Sequence, residues 1–302
     1  MSMMSWLLDS DPAIRWQVLR DVLHESDDVV TAERARVAKE GWGAQLLARQ
    51  TPAGPWGDGE DEGWMTTIQF LDLLKDFGID PASAEARRAV GLVRDRLTWW
   101  QLDGRPFFEG ETEPCINGRI VGIGAYFGEA TDRLVERLLS EQLEDGGWNC
   151  EAPPSACSSF HSTICVLEGL LEYERAKGGR AGAVRKARLR GQEYLLERRM
   201  LRSRRTGEII DRKWTRFSFP TRWHYDVLRG LDYMRKAGIE PDERVAEAIS
   251  IVEQRRHQNK RWPMNLLHSD RIPFDMETGV GRASRWITLR ALRVLEWGGK
   301  RG

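Results

Sequence analysis

Apolar residues recur along this chain at intervals of three to four positions, in segments that short polar loops separate. This spacing is typical of amphipathic helices, whose apolar stripe faces a core while the charged side faces solvent. Alternation rich in Val, Ile and Thr, the mark of half-buried strands, never runs far. The pattern predicts an all-α protein with little or no sheet.

One sequence unit repeats, and each copy is an apolar helix ending near a glutamine, followed by a glycine-containing turn and a tryptophan. The two clearest copies consist of Leu46, Gln50, Gly54 and Trp56, and of Leu138, Gln142, Gly146 and Trp148. Weaker copies with the same order of features lie around residues 103–108, 205–209 and 255–262. Such repeats bury their apolar faces against their neighbours, which indicates a helical array.

A helix rich in small and apolar residues follows each turn, and a helix with one charged face lies between copies. The first kind, a predicted inner ring, spans 66–77, 115–127, 159–173, 223–234 and 284–297. The second kind, a predicted outer ring, spans 32–49, 82–96, 131–141, 182–200 and 242–256. With a further helix over 11–23 there are about six pairs, which favours closure into a ring. We therefore predict a single α/α toroid domain over residues 1–302.

Charge and composition remove several classes of function. The chain has 302 residues with 46 Lys and Arg against 46 Asp and Glu, so its zero formal net charge gives no general attraction to nucleic acid or anionic membranes. No run approaches the roughly 20 apolar residues of a transmembrane helix. The apolar residues 1–8 lack the basic start of a signal peptide, and four cysteines suit a reducing compartment. A cytoplasmic location is expected.

Two of the repeats carry a resemblance to a known family. Gln50 with Trp56, and Gln142 with Trp148, resemble the QW repeats of squalene-hopene cyclases and of the related protein prenyltransferase β subunits. The resemblance, which extends to uncharacterised squalene cyclase-like proteins, implies an α/α toroid. It also implies an enzyme that binds a small apolar or isoprenoid ligand in a tryptophan-lined central cavity. The glutamine and tryptophan themselves are expected to stabilise the turns.

The sequence lacks the motif that supplies the catalytic acid in the cyclases. Those enzymes protonate an alkene or epoxide with an Asp-x-Asp-Asp motif, and this chain contains no such motif. Its nearest acidic cluster covers residues 58–62, in a glycine-rich loop that is typical of a solvated turn. A squalene-type cyclisation is therefore not expected.

A second comparison, with the zinc-dependent prenyltransferases, points to a metal site. Glu113 and Cys115 open one predicted inner helix, and His161 opens the next, similar to the Asp-x-Cys and His ligands of that family. Carboxylate, thiolate and imidazole form a three-ligand zinc set with an open fourth position. The alternative is that Cys115 is a packing residue and His161 a hydrogen-bonded cavity histidine. Cys150 and Cys157 are other potential thiolate ligands.

The start of the fourth predicted inner helix offers further polar groups. Arg222 and Trp223 are candidates to bind substrate, and His224 and Asp226 are candidates, with His161, for proton transfer. An arginine here suits a phosphate, diphosphate or carboxylate, because guanidinium binds such anions in bidentate fashion.

The last inner helix repeats the theme. Arg285 and Trp286 are predicted to bind substrate, as is Trp64 at the first inner helix, and Glu277 is a candidate acid or base. If the inner helices begin at one mouth, these groups converge on a pocket. The alternative is that Arg222 and Arg285 form structural ion pairs with Asp226 and Glu277.

Two other functions stay open at this point. In a carbohydrate-active α/α barrel, the tryptophans would stack on sugar rings, and a carboxylate pair from Asp61, Asp226 and Glu277 would perform acid-base catalysis. In a binding or scaffold protein, the toroid would be retained without chemistry.

Overall fold

Helices dominate the computed structural model, which describes residues 1–57, 63–177, 182–268, 274–277 and 279–300. The α-helices are α1 (Met3–Leu8), α2 (Pro12–Asp21), α3 (Asp27–Ala35), α4 (Gly41–Leu47), α5 (Gly63–Phe77), α6 (Ala84–Arg96), α7 (Pro114–Phe127), α8 (Asp132–Ser140), α9 (Phe160–Lys177), α10 (Gly182–Leu196), α11 (Val227–Lys236), α12 (Ala246–Gln254) and α13 (Arg285–Trp297). Short 3-10 helices cover Trp100–Leu102, Phe107–Glu109 and Arg212–Thr215. Within the described ranges, sheet is limited to the antiparallel pair β1 (Thr98–Trp99) and β2 (Arg105–Pro106).

The fold class predicted from the sequence is confirmed. Helix makes up 55% of the residues that the structure describes, as expected for an all-α protein. No described helix has the length and apolar character needed to cross a membrane.

Several predicted helix boundaries are wrong by about four residues or more, including the end of α9 at Lys177 instead of residue 173 and the start of α12 at Ala246 instead of residue 242. The helix predicted over 32–49 is two helices: α3 ends at Ala35, and α4 begins at Gly41, whose φ is 60°. The helix predicted over 182–200 ends at Leu196, before the left-handed residues Arg199 and Met200. The helix predicted from residue 223 begins only at Val227. A residue with a positive φ does not continue a right-handed helix, so Arg199 and Met200 lie outside α10.

The chain divides into two compact units. The first unit comprises Met1–Glu33 and Gln192–Gly302, and the second comprises Arg34–Gly191. Within the second unit, α7 packs between α5 and α9, and within the first, α13 packs between α2 and α11. These neighbours are helices predicted as inner, apart from α2. The prediction of one closed domain over 1–302 stays a prediction.

Helices α7 and α9 cross at two glycines in the second unit. A Cβ atom built on Gly169 would lie 2.0 Å from the carbonyl oxygen of Gly118, and one on Gly118 would lie 2.6 Å from the Cα of Val166. Real Cβ contacts are never this short, so only glycine permits the crossing. The close approach fixes the first turn of α7, which carries Cys115, beside the first half of α9.

Three buried tryptophans make the same pair of hydrogen bonds. In each, the indole Nε1 donates to the carbonyl oxygen ten residues earlier, and the backbone N–H donates to a threonine hydroxyl of the next described helix predicted as inner. The pairs are Trp56 with Leu46 and Thr67, Trp148 with Leu138 and Thr163, and Trp262 with Val252 and Thr288. Each tryptophan therefore joins the end of one helix to the start of another.

The two glutamines of the clearest repeats also have matching partners. The Gln50 side-chain amide donates to the carbonyl oxygen of Gly54 at 2.7 Å and to that of Ala89 at 2.8 Å. Gln142 donates to Gly146 and Ala187 at the same distances. Each glutamine satisfies a turn carbonyl and a carbonyl of a neighbouring helix, which agrees with the structural role expected from the sequence.

Candidate functional site

The start of α7 and the loop before α9 bring thiols and a carboxylate together in the second unit. Pro114 occupies the first helical position of α7, where its missing N–H costs nothing, and Cys115 follows it. Cys150 lies two residues after Trp148, whose backbone is fixed by Thr163 of α9. A buried hydrogen bond therefore holds the backbone near Cys150, and Cys115 lies in the first turn of a helix.

The ligand atoms of Glu113, Cys115 and Cys150 all lie within 4.8 Å of one another. The thiol of Cys115 is 3.6 Å from Oε2 of Glu113. Both cysteines are half-buried, whereas Glu113 is exposed. Among the described residues, this is the group of His, Cys, Asp and Glu side chains with the spacing of a metal site.

Ser162, in the first turn of α9, holds Cys150 in place. Its hydroxyl oxygen accepts the backbone N–H of Cys150 at 3.2 Å and lies 3.2 Å from the Cys150 sulfur. Ser162 is buried, so its hydroxyl has a fixed direction. The sequence analysis missed this residue, because a serine in a helix turn carries no signal of its own.

The two thiols polarise one another. The hydrogen bond to Cys150, followed by burial, raises the pKa of Cys115 far above its ordinary range. The hydrogen bond from Cys115 lowers the pKa of Cys150, against the opposing effect of burial, and Ser162 adds to the lowering. The two shifts have opposite directions, so the thiolate form is favoured more at Cys150 than at Cys115.

The structure brings together only some of the zinc ligands that the sequence predicts. Glu113 and Cys115 belong to the group in the structure, but the third ligand atom is the Cys150 sulfur, and not the imidazole of His161. His161 is half-buried in the first turn of α9. Of the two loop thiols considered as alternatives, Cys150 lies in the group, while Cys157 is exposed.

Four candidate residues of the first unit lie just before α11, and they are Arg222, Trp223, His224 and Asp226. Arg222 is buried and has a φ of 56°, and Trp223 packs on His224 with ring centroids 4.7 Å apart. Asp226 is the N-cap of α11 and accepts the backbone N–H of Arg229 at 2.8 Å. Asp226 thus has a structural contact in addition to its predicted acid-base role.

Asp226 is a buried carboxyl that titrates near neutral pH. Burial raises its pKa to about 6, although backbone N–H groups and nearby arginines oppose the rise. A carboxyl with this pKa exchanges a proton in the range where many general acids and bases work.

This pKa predicts a stability change between pH 5 and 7. The folded protein binds a proton at Asp226 that the unfolded chain has already released, so stability falls as the pH rises toward and through 6. The loss across this interval is about 1.4 kcal/mol. Urea unfolding at both pH values should show this loss in the wild type, and the pH dependence of Asp226→Asn should be smaller by about the same amount. An equally large pH dependence in the two proteins would contradict the assignment.

His224 has a neighbour that the sequence analysis missed. Its ring stacks on that of His268, with centroids 3.7 Å apart and planes inclined by 9°. Nε2 of His268 lies 3.1 Å from the hydroxyl of the buried Ser218. No local sequence motif predicts this cluster, because the two histidines are far apart in the chain.

Glu277 and Arg285 make backbone contacts at the start of α13. The Glu277 carboxylate accepts hydrogen bonds from the Ser284 hydroxyl at 2.7 Å and from the backbone N–H of Trp286 at 3.0 Å. Burial raises the pKa of Glu277. The Arg285 guanidinium donates to the carbonyl oxygens of Trp6 and Asp9. Both side chains stabilise local structure, and their predicted roles toward a ligand stay predictions.

The candidate aromatic residues lie against other rings. Trp286 is buried and stacks on Phe219 at 4.2 Å between centroids. Trp64, half-buried at the start of α5, packs on Trp99 at 5.0 Å. The acidic cluster 58–62, which includes Asp61, lies outside the described residues.

Three structures of the type II terpene cyclase MstE from Scytonema are similar to this chain. A variant in complex with its substrate, geranylgeranyl dihydroxybenzoate, has a TM-score of 0.45 and 14% identity over 95% of this chain and 86% of the cyclase chain. An apo variant has a TM-score of 0.44 and 15% identity, covering 96% and 87%. Apo MstE has a TM-score of 0.42 and 15% identity, covering 95% and 88%.

At these identities and TM-scores, the similarities carry no conclusion about what this chain binds or converts. No protein-family model matches the sequence, and no curated protein shows significant similarity to it.

Proposed function

We propose that this chain is an enzyme of the terpenoid cyclase and protein prenyltransferase type, in which zinc held by Glu113, Cys115 and Cys150 assists a reaction of a small apolar, isoprenoid-like substrate. The observation that carries the proposal is the convergence of two sulfurs and a carboxylate within 4.8 Å. Two thiolates and a carboxylate are ligands that zinc accepts, and three protein ligands leave the open position that a catalytic zinc needs.

The donor set fits zinc in geometry as well as in kind. Sulfurs bound to one tetrahedral zinc lie about 3.8 Å apart, given zinc–sulfur bonds of about 2.3 Å. The observed separations, within 4.8 Å, require only small side-chain movements. When bound, zinc would supply a Lewis acid and lower the pKa of a water or thiol at the fourth position.

Other residues would prepare the site. Ser162 orients the Cys150 sulfur through its hydroxyl, which is the task of the outer hydrogen bonds around a metal ligand. Exposed Glu113 leaves one side open for entry of the metal and a substrate. The half-buried ring of Trp64, which packs on the buried Trp99, is an aromatic surface elsewhere in the same unit that is suited to hydrocarbon.

Metal analysis of purified protein tests the proposal. We expect about one equivalent of zinc in the wild type, and loss of it in Cys115→Ser and Cys150→Ser, because removing a ligand weakens binding by an order of magnitude or more. Cys157→Ser is the matched control and should keep its zinc. His161→Ala should also keep it, which separates this ligand set from the one with His161. Metal-free wild type, or equal loss in Cys157→Ser, would overturn the zinc assignment.

Ligand screening tests the substrate class separately. Isoprenoid diphosphates should raise the melting temperature, because a ligand that binds only the folded state stabilises it by mass action. Stabilisation by oligosaccharides instead would favour the carbohydrate-active alternative, for which Asp226 and Glu277 would be the carboxylates. No stabilisation by either class would favour a scaffold protein.

A further inference from the structure

The four cysteines of the chain have different surroundings. Cys115 and Cys150 are half-buried, and their sulfurs lie within 4.8 Å of each other. Cys157 is exposed on the loop before α9, and Cys165 is buried inside α9 with 1% exposure. Cys115 and Cys150 are therefore the two thiols that lie close to each other and are also partly accessible to solvent.

We propose that Cys115 and Cys150 form a site of reversible oxidation, at which a hydroperoxide closes a disulfide between them. A disulfide needs sulfurs about 2.05 Å apart, so the present separation must shrink by less than about 3 Å, within the reach of side-chain rotation. Cys150 lies on the loop before α9. The opposing Cys115 is in the first turn of α7.

The chemistry takes place in two steps. The Cys150 sulfur attacks the outer oxygen of the hydroperoxide, the O–O bond breaks, and the sulfur becomes a sulfenic acid while the leaving alkoxide takes up a proton. The Cys115 sulfur then attacks the Cys150 sulfur, the S–O bond breaks, and the hydroxide leaves as water with the Cys115 proton. In sum, two thiols and one hydroperoxide give one disulfide, one alcohol and one water.

Ser162 favours Cys150 as the attacking sulfur. Its hydroxyl accepts the Cys150 backbone N–H and lies 3.2 Å from the sulfur, so it holds the side chain in one direction. Cys165 is enclosed by the packing of α9, which keeps oxidants away. If exposure alone decided reactivity, Cys157 would be the thiol that is oxidised. Cys157 is therefore the internal control for the effect of proximity.

The disulfide would also control the metal. The same two sulfurs are ligands in the proposed zinc site, so their oxidation would expel zinc, and this consequence rests on the proposed function. Formation of the bond itself needs no zinc. The two proposals can therefore fail independently.

Thiol mapping tests the inference. The full chain, treated with a chelator and one equivalent of hydrogen peroxide, is alkylated with iodoacetamide and digested without reductant. We expect a linked peptide pair containing Cys115 and Cys150, two hydrogen atoms lighter than the sum of its parts, that dithiothreitol reverses. Cys157→Ser should give the same yield, while Cys150→Ser should give no linked pair. Protein reloaded with zinc should oxidise several-fold more slowly.

One result would overturn the inference. If Cys157 consumed the peroxide, as a higher oxide or as a link between two chains, while Cys115 and Cys150 stayed alkylated, exposure and not proximity would decide reactivity. If the disulfide formed at the same rate with and without added zinc, and metal analysis found no bound zinc, only the zinc assignment would fail.

Discussion

Gly169→Ala is expected to destabilise the protein by about 3 kcal/mol or more, because overfilling a packed contact costs about 1–3 kcal/mol and rises where the neighbour cannot move. The new Cβ would lie 2.0 Å from the carbonyl oxygen and 2.9 Å from the carbonyl carbon of Gly118. Both atoms belong to the backbone of α7, so no flexible side chain can give way. The helices must separate instead, and they lose their shared apolar contact.

Urea unfolding and thermal melts measure the effect, and Gly91→Ala is the matched control. Gly91 is also helical and in the second unit, but the nearest atom to its built Cβ is Nη2 of Arg94 at 3.7 Å. Alanine should stabilise that helix by roughly 0.5–1 kcal/mol. Equal melting temperatures for the two variants would show that α7 and α9 do not approach as closely as described.

The same crossing has a consequence for the candidate site. Cys115 lies one turn before Gly118 on α7, and Ser162 lies two turns before Gly169 on α9. The thiol pair depends on how these two helices meet, because each sulfur is placed from one of them. Stability and site geometry are thus coupled through two glycines.

Helix positions could be predicted from the sequence because their signals are local. The small-residue pattern placed α7 within one residue at its start, where Pro114 marks the first turn, and Gly128, with a φ of 83°, ends it. Apolar spacing placed α13 equally well, after the N-cap Ser284. Capping and spacing depend on a few neighbouring residues, so one chain is enough to read them.

The partners within the site could not be predicted in the same way. Cys150 reaches Cys115 only because the loop after α8 folds back toward α7, and no spacing rule gives the path of such a loop. The sequence pattern does not distinguish Cys150 from Cys157 as a potential ligand. In the structure, Cys150 lies in the group with Glu113 and Cys115, whereas Cys157 is exposed.

Ion pairs between helices could not be predicted from the sequence pattern either. Arg119, 5% exposed, donates to Asp72 at 2.6 Å across 47 positions of the chain. The amphipathic pattern assigns charges to solvent, yet this guanidinium is buried between α7 and α5. A long-range ion pair is decided by packing, and its desolvation is offset only by the partner that packing supplies.

Trp148→Ala is expected to cost about 3–5 kcal/mol, the range for deleting a fully buried tryptophan. The side chain has 0% exposure, and its indole N–H donates to the carbonyl oxygen of Leu138 at 2.7 Å. Truncation leaves a cavity and an unpaired carbonyl at once. Trp56→Ala should cost a similar amount, because Trp56 makes the matching contacts in the first copy of the repeat.

Two further variants separate the contribution of the indole hydrogen bond from that of the buried ring. Trp148→Phe keeps an aromatic ring and loses the hydrogen bond with part of the ring volume, so its loss should be about 1–3 kcal/mol, between the alanine variant and the wild type. Trp100→Ala, at a side chain 59% exposed, should change stability by about 0.5 kcal/mol or less. If Trp148→Ala unfolded at the same urea concentration as Trp100→Ala, the repeat tryptophans would not hold the helix ends together.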